Sequence, residues 1–166
     1  LQCEILDFNG NIATAWAKLI RRDFLREYNI QHNGSLRQGS EGIEFNIRLF
    51  EYVQKAYFTN NAYYHYVYNP NSISAKHDEK NHYYVINCFC EIRQYIELSI
   101  NRKALYELLL NRIIYVIISA AISGYFSPDN KEIYAVRVSK YKNYLNQEIV
   151  IEAIKESNSK GIDWNR

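Results

Sequence analysis

The 166-residue sequence contains no methionine, only two prolines and six glycines, and three cysteines. The lack of methionine in a chain that begins at Leu1 is expected of a segment of a longer protein, or of a sequence that omits its methionines. Cysteines at 3, 88 and 90 are a poor basis for a disulfide framework, because their number is odd and two of them lie only two positions apart. We therefore expect a reducing, cytoplasmic environment.

Net charge and long apolar runs are also scarce. The charge is +2, and the basic residues form no cluster larger than the pair Arg21-Arg22, so the footprint of a nucleic-acid-binding domain is missing. The longest uncharged apolar run, Ile113–Ile122, is too short to span a bilayer and predicts a buried core helix. Glu4 and Asp7 interrupt the first residues, so no signal peptide is predicted. We expect no membrane span within this chain.

Motifs of known chemistry are absent as well. The sequence has no Gly-rich phosphate loop, no serine nucleophile elbow and no His-Glu-x-x-His helix. Cys88 and Cys90 would point to different faces of a helix, and no second pair has zinc-finger spacing, so we predict no metal site and no cofactor. Both thiols are more simply explained as small core residues. Glu152-x-x-Lys155 lacks the spacing of a nuclease core.

The residues that are present favour helices. Apolar residues recur with helical spacing over most of the chain, which predicts an all-α fold, a single domain over 1–166 with five or six helices packed as a bundle. Polar loops are expected at 31–42 and 69–80, and a tail at 157–166 in which Trp164 can dock. Asn60–Tyr68 fits either a helix or an extended segment. The predicted helices cover 11–29, 41–58, 81–99, 105–124 and 130–157.

Local features refine these helices. Asn9 or Asn11 is a candidate cap for the first helix and Ser40 for the second, which has two apolar stripes and should be buried on two sides. Gly124 is expected to end the central helix, and Ser127-Pro128-Asp129 to begin the last, whose first residues also alternate like a short strand. The two stripes are Ile43, Ile47, Phe50 and Tyr57, and Phe45, Leu49, Val53 and Ala56.

One pair of residues suits catalysis. Arg26 and His32 match the loose Arg-x(4–6)-His pattern of HEPN-type ribonucleases, all-helical dimers in which the histidine acts as general acid or base and the arginine stabilises a charged phosphorane. The pair falls at the end of the first predicted helix, whereas that family usually carries it late. The alternative is a solvated helix end whose basic residues suit the helix dipole.

A tyrosine-rich stretch has two interpretations. Its rings can stack on single-stranded nucleic acid, but no lysine or arginine is interleaved with them. Burial at a core edge or in a protein interface is therefore favoured. The tyrosines concerned are Tyr57, Tyr63, Tyr64, Tyr66 and Tyr68.

Residues 81–126 carry a set of aromatic, aliphatic and polar residues with a recognisable order: His82-Tyr83-Tyr84, Gln94–Glu97, Leu105-Tyr106, Leu109, Arg112 and Ser123–Tyr125, with Gly42 and Phe50–Tyr52 upstream. In these residues the segment resembles the soluble helical domain of phage abortive infection proteins of the AbiC-like group. Val85 departs from the family, where an arginine commonly follows the aromatic residues, and Ile113–Val116 replaces a polar run. The resemblance implies a role in stopping phage growth, in the soluble part of a membrane-anchored protein or in a soluble relative, and it implies no catalytic residue.

Polar groups at the edges of this segment are the predicted binding residues: His82, Arg93, Tyr106 and Arg112. Arg112, beside an apolar run, must reach solvent or a carboxylate partner. We expect a phage-defence or regulatory domain that contacts a protein partner or a second copy of itself, and the missing motifs disfavour an enzyme.

Two alternatives stay open. One is the HEPN-like ribonuclease with Arg26 and His32. The other is a helical-bundle signalling protein, since Leu98–Leu108 is locally similar to an interferon-γ helix and Asn33 begins a glycosylation sequon.

Overall fold

A computed structural model describes residues 1–7, 10–37, 40–69 and 79–157, and within these ranges the chain forms helices and no strand. The all-α prediction is confirmed, with five helices of nine residues or more and three shorter ones. The helices are α1 (Gln2–Leu6), α2 (Gly10–Ala13), α3 (Arg22–Glu27), α4 (Glu41–Tyr52), α5 (Lys80–Leu98), α6 (Arg102–Ala120), α7 (Tyr134–Leu145) and α8 (Glu148–Glu156).

Helix α6 is the centre of the bundle. It packs against α1, α5 and α8, and α4 packs against α1 and α5 on the other side. Leu105, Leu109 and Ile113 recur every four residues along α6 and are fully buried, which is the spacing of one helix face. One main core joins these residues to side chains of every helix except α3.

The two apolar stripes predicted on α4 pack into two different cores. Ile43 and Ile47 belong to the main core. Phe45 and Leu49 belong to a second, smaller core with Ile30. The prediction that this helix reaches residue 58 is wrong, because α4 ends at Tyr52 and residues 53–69 form neither helix nor strand.

The single helix predicted over 11–29 is wrong. Helix α2 ends at Ala13, α3 begins at Arg22, and Ala17 between them has a φ of 58°, in the left-handed region. The cause is a tertiary contact: the buried Asn46 amide donates hydrogen bonds to the carbonyls of Ala13 and Thr14, at 2.9 and 3.0 Å. Carbonyls held in this way by α4 draw the chain out of the helix despite its apolar spacing.

The last predicted helix also differs. Pro128-Asp129 forms a turn rather than a helix start, and α7 begins at Tyr134, so the alternating residues there are helical. A break between Leu145 and Glu148 separates α7 from α8, and it allows Tyr144 and Val150 both to be fully buried. Gly124 lies in a π-helical turn, Ala121–Tyr125, that continues α6 and closes with the Phe126 N–H on the Ala121 carbonyl at 2.8 Å.

Several smaller predictions concern the ends of helices and the loops between them. Ser40 is the residue before α4, but its carbonyl rather than its side chain accepts hydrogen bonds, from the N–H groups of Ile43 and Glu44. Leu98–Leu108 is not one helix, because a turn at 99–101 separates α5 from α6. Most of the loop predicted at 69–80 and of the tail at 157–166, including Trp164, lies outside the described residues, as does Asn9.

By length and composition alone, the 24 residues Arg102–Tyr125 are enough to cross a membrane. The apolar run expected to be too short therefore belongs to a longer helix. One such helix is weak evidence for a membrane span, since the core helix of a globular protein passes the same test. Here it supplies the buried face on which α1, α5 and α8 pack.

Candidate functional site

Two of the predicted binding residues, Arg93 and Tyr106, meet at one carboxylate. Arg93 Nη1 of α5 lies 2.9 Å from Glu152 Oε2 of α8. The Tyr106 hydroxyl of α6 donates to the other oxygen, Oε1, and also lies 3.1 Å from Glu156 Oε2. Both side chains are thus engaged within the chain, and they hold three helices together rather than presenting a binding surface.

Burial marks this polar cluster. The Glu152 side chain is only 13% exposed, against 54% for Glu97, which lies 3.9 Å from the same arginine. Burial, together with the hydrogen bonds to Glu152 and Glu156, raises the pKa of Tyr106. Cys90 lies in the same electrostatic environment, and burial raises the pKa of its thiol. Both groups therefore stay protonated to a higher pH than they would in water.

His82 lies elsewhere, in an aromatic cluster at the opposite end of α5. Its ring stacks on Tyr125 with centroids 5.2 Å apart and lies 5.8 Å from the ring of Tyr144. The π-helical turn places Tyr125 here, only 3% exposed, and burial raises the pKa of both tyrosines. Tyr83 and Tyr141 pack on the same rings. The cluster fills the junction of α5, α6 and α7.

Arg112 follows Tyr106 by six positions in the chain. It is half-buried on α6, next to the fully buried Ile113. Burial lowers the pKa of its guanidinium. Of the four predicted binding residues, Arg93 and Tyr106 share the Glu152 carboxylate, and His82 packs on Tyr125 and Tyr144.

The HEPN-like pair is not joined in the structure. Arg26, in the last turn of α3, lies 3.9 Å from Asp23 and is largely exposed. His32 lies beyond that helix and stacks on Phe45 with centroids 4.2 Å apart. Within the described residues no hydrogen bond or ion pair links Arg26 to His32. The ribonuclease assignment stays a prediction.

A polar depression of about 360 Å³ lies beside His32, lined by Asn29, Gln31, Asn33, Glu44 and Arg48. The guanidinium that reaches it is that of Arg48. Its Nε and Nη2 bind Glu44 at 2.6 and 3.0 Å, and Nη2 also donates to the Gln31 carbonyl at 2.6 Å. Three of its five N–H donors are thus taken by protein acceptors, and the bond to the Gln31 carbonyl fastens the loop to α4.

The cysteines are all free thiols. Cys88 is fully buried, and burial raises the pKa of its thiol to about 11, so it is a core residue as predicted from its spacing. Among the residues that the structure describes, no group of three or more His, Cys, Asp or Glu side chains is arranged to hold a metal ion.

Exposed large apolar side chains are concentrated in residues 57–68, here named the aromatic segment. The burial expected for its tyrosines at a core edge is not found, since its large side chains are between 50% and 93% exposed. Trp16, itself 46% exposed, stacks on Tyr64 with centroids 5.0 Å apart and touches Tyr66 at 5.8 Å. The exposed side chains are Tyr57, Phe58, Tyr63, Tyr64, Tyr66, Val67 and Tyr68.

Two of these contacts, in two different parts of the molecule, were not recognised in the sequence. Trp16 looked like a core residue of a long helix, and its partnership with Tyr64 depends on the break in that helix. In the sequence, Glu152 stood out only through its spacing from Lys155, which does not fit a nuclease core. Its two partners, Tyr106 and Arg93, lie 46 and 59 positions away in the chain. Neither contact has a local signal, because both arise from packing.

Comparisons of this chain with protein-family models, with curated proteins and with solved structures find no match.

Proposed function

We propose that this chain is a helical regulatory domain of the phage-defence type, that it acts through a protein contact, and that the aromatic segment with Trp16 is the contact surface. The observation that carries the proposal is the exposure of seven large apolar side chains within twelve residues. Contiguous apolar surface of this kind marks interaction sites, and aromatic residues dominate the energetics of protein interfaces.

Three of the four predicted binding residues are engaged within the chain, which favours the aromatic segment over them. Arg93 and Tyr106 are engaged with Glu152, and His82 is stacked in the aromatic cluster. The phage-defence part of the proposal comes from the resemblance of residues 81–126, which form α5 and α6. The free thiols of all three cysteines support a cytoplasmic location.

The test is phage plating on a host that carries the full-length gene. Replacing Tyr57, Phe58, Tyr63 and Tyr64 with serine should restore plating efficiency to that of a host without the gene. These residues are exposed, so the thermal unfolding midpoint should change little.

The matched control replaces Leu98 and Ile100, which are 87% and 89% exposed at the α5–α6 turn, with serine. It removes a similar kind of exposed apolar surface and should leave protection intact. Equal protection by the wild type and the four-serine variant would show that the aromatic segment is not the contact surface. Equal phage plating efficiency on hosts with and without the gene would contradict the phage-defence assignment.

A further inference from the structure

We propose that the partner of the aromatic segment is a second copy of this chain, joined by antiparallel pairing of residues 62–68 across a two-fold axis at His65. This inference rests on the proposed function, since it names the occupant of that contact surface. It follows from three properties of the segment: its backbone, its sequence symmetry and its charge.

Most backbone groups of the segment are available for pairing, since residues 62–68 form neither helix nor strand. The N–H and C=O groups of residues 64–68 make no hydrogen bond within the described part of the chain, whereas the Tyr63 N–H donates to the Asn61 carbonyl at 3.0 Å. Tyr64 and Tyr66, two positions apart, both lie against Trp16, as side chains i and i+2 do on one face of a strand. A stretch with unpaired backbone groups is a template for adding another strand.

The sequence of the segment is nearly symmetric about His65. Tyr64 and Tyr66 flank it, Tyr63 and Val67 follow outward, and an asparagine stands at each end, at 61 and 69. In an antiparallel pair centred on His65, Tyr64 of one copy lies opposite Tyr66 of the other, and Tyr63 lies opposite Val67. Aromatic–aromatic and aromatic–β-branched pairs of this kind are the ones that stabilise paired strands.

Charge favours a second copy over other occupants. No Asp, Glu, Lys or Arg occurs from Ala56 to Asn69, so two identical segments meet without repulsion between like charges. Single-stranded nucleic acid would need a basic groove alongside the rings, and the segment offers no such residue. Two strands alone are marginally stable in water, so the stacks on Trp16 are expected to contribute to the dimer.

The register is tested by cysteine cross-linking under mild oxidation. Residues directly opposite in an antiparallel pair have Cα atoms about 4.5–5.5 Å apart, which suits a disulfide. His65→Cys should therefore cross-link to itself. Tyr63→Cys mixed with Val67→Cys should give a mixed dimer, whereas each of these two variants alone should not. The unsubstituted protein, with its native thiols, measures the background.

The equilibrium is tested by sedimentation over a range of protein concentrations. The wild type should pass from monomer to dimer, and His65→Glu should raise the dissociation constant roughly fivefold or more, because two carboxylates then face each other. Gln54→Glu adds the same charge outside the pairing segment and should leave the constant unchanged. Circular dichroism of each variant checks that the helices are intact.

Three results would overturn the inference: a monomer at every concentration, cross-linking of Tyr63→Cys alone as efficient as in the mixture, or assembly beyond two copies. The wild type can be monomeric while replacement of the aromatic residues still abolishes protection. That result overturns the pairing with a second copy but leaves the proposed function, with a different partner.

The wild type can instead form a dimer with the expected register, while His65→Glu abolishes the dimer and leaves plating efficiency unchanged. That result supports the pairing and removes the proposed function.

Discussion

The two oxygens of the Glu152 carboxylate on α8 bind two different helices. Oε2 lies 2.9 Å from Arg93 Nη1 of α5, and Oε1 accepts a hydrogen bond from the Tyr106 hydroxyl of α6. One side chain therefore connects three helices of the bundle. Because the carboxylate is largely buried, it is screened less by solvent than a surface ion pair.

Glu152→Gln should lower the free energy of unfolding by about 1–3 kcal/mol, because it leaves the Arg93 charge in a partly buried place without its carboxylate. Glu97→Gln is the matched control: Glu97 also lies near Arg93, at 3.9 Å, but is 54% exposed. Its removal should cost about 0–0.5 kcal/mol. Urea unfolding of both variants measures the difference, and equal losses would mean that burial does not strengthen the Glu152 contact.

Gly42→Ala should destabilise the fold by about 1–3 kcal/mol. A Cβ at this position would lie 3.0 Å from the Ala13 carbonyl oxygen and the Ala15 nitrogen, both backbone atoms that cannot easily give way. Gly34 has nothing within 4 Å of the corresponding position, so Gly34→Ala should change stability by less than about 1 kcal/mol. Thermal unfolding of the pair should separate them, and similar midpoints would contradict the close approach of α4 to residues 13–15.

Asn46→Asp should be among the most damaging conservative changes, costing about 3 kcal/mol or more. Asn46 is fully buried, and its Nδ2 group donates to the carbonyls of Ala13, Thr14 and Gly42. An aspartate would place a carboxylate against these three oxygens. Asn143→Asp, at an exposed position of α7, is the control and should stay within about 0.5 kcal/mol of the wild type.

Two neighbouring tyrosines should respond differently to loss of their hydroxyl groups. The Tyr144 hydroxyl is buried and has no hydrogen-bond partner among the described residues, so Tyr144→Phe should be neutral or slightly stabilising. The Tyr141 hydroxyl donates to the Ile117 carbonyl at 3.0 Å, so Tyr141→Phe should cost about 1 kcal/mol. Chemical unfolding measures both, and a larger loss at Tyr144 would reveal a partner for its hydroxyl.

Stability should fall at alkaline pH through Cys88. Burial raises the pKa of its thiol from 9.0 to about 11, so the unfolded state ionises first. The contribution of the neutral thiol is complete below pH 9 and is lost as the pH rises toward 11. Between these values the wild type should lose up to about 1.4 kcal/mol per pH unit more than Cys88→Ala.

Buried tyrosines also ionise at alkaline pH, but they are present in both proteins and cancel in this comparison. The measurement is the free energy of unfolding in urea at several pH values from 8 to 11. Parallel curves for the wild type and Cys88→Ala would contradict a raised thiol pKa in the folded state.

The helices that the sequence predicted best are those whose apolar residues alone specify them. The spacing of Phe89, Ile92 and Ile96 placed α5, and that of Leu105 and Leu109 placed α6, because a 3.6-residue period over several turns is a strong local signal. The first members of the two stripes of α4 were predicted for the same reason, since Ile43 and Ile47 reach one core and Phe45 and Leu49 the other, whereas Ala56 and Tyr57 lie beyond the end of the helix.

The segments predicted wrongly are those in which a distant side chain decides the backbone. Ile12, Trp16 and Ile20 have helical spacing, yet Asn46 binds the carbonyls between them and the helix does not form. The tyrosines after α4 had no decisive period, and the structure leaves them on the surface against Trp16.

By itself, the amino-acid sequence determined that this protein is all-α, where its central helices lie, and that Cys88 belongs in the core, because the periodicity of apolar residues is a local property of the chain. Only the tertiary structure decided that Arg93 and Tyr106 are held by Glu152, and that the tyrosines of residues 57–68 face outward. Such contacts join residues many positions apart, and their energy depends on distance and burial, which exist only once the helices have packed.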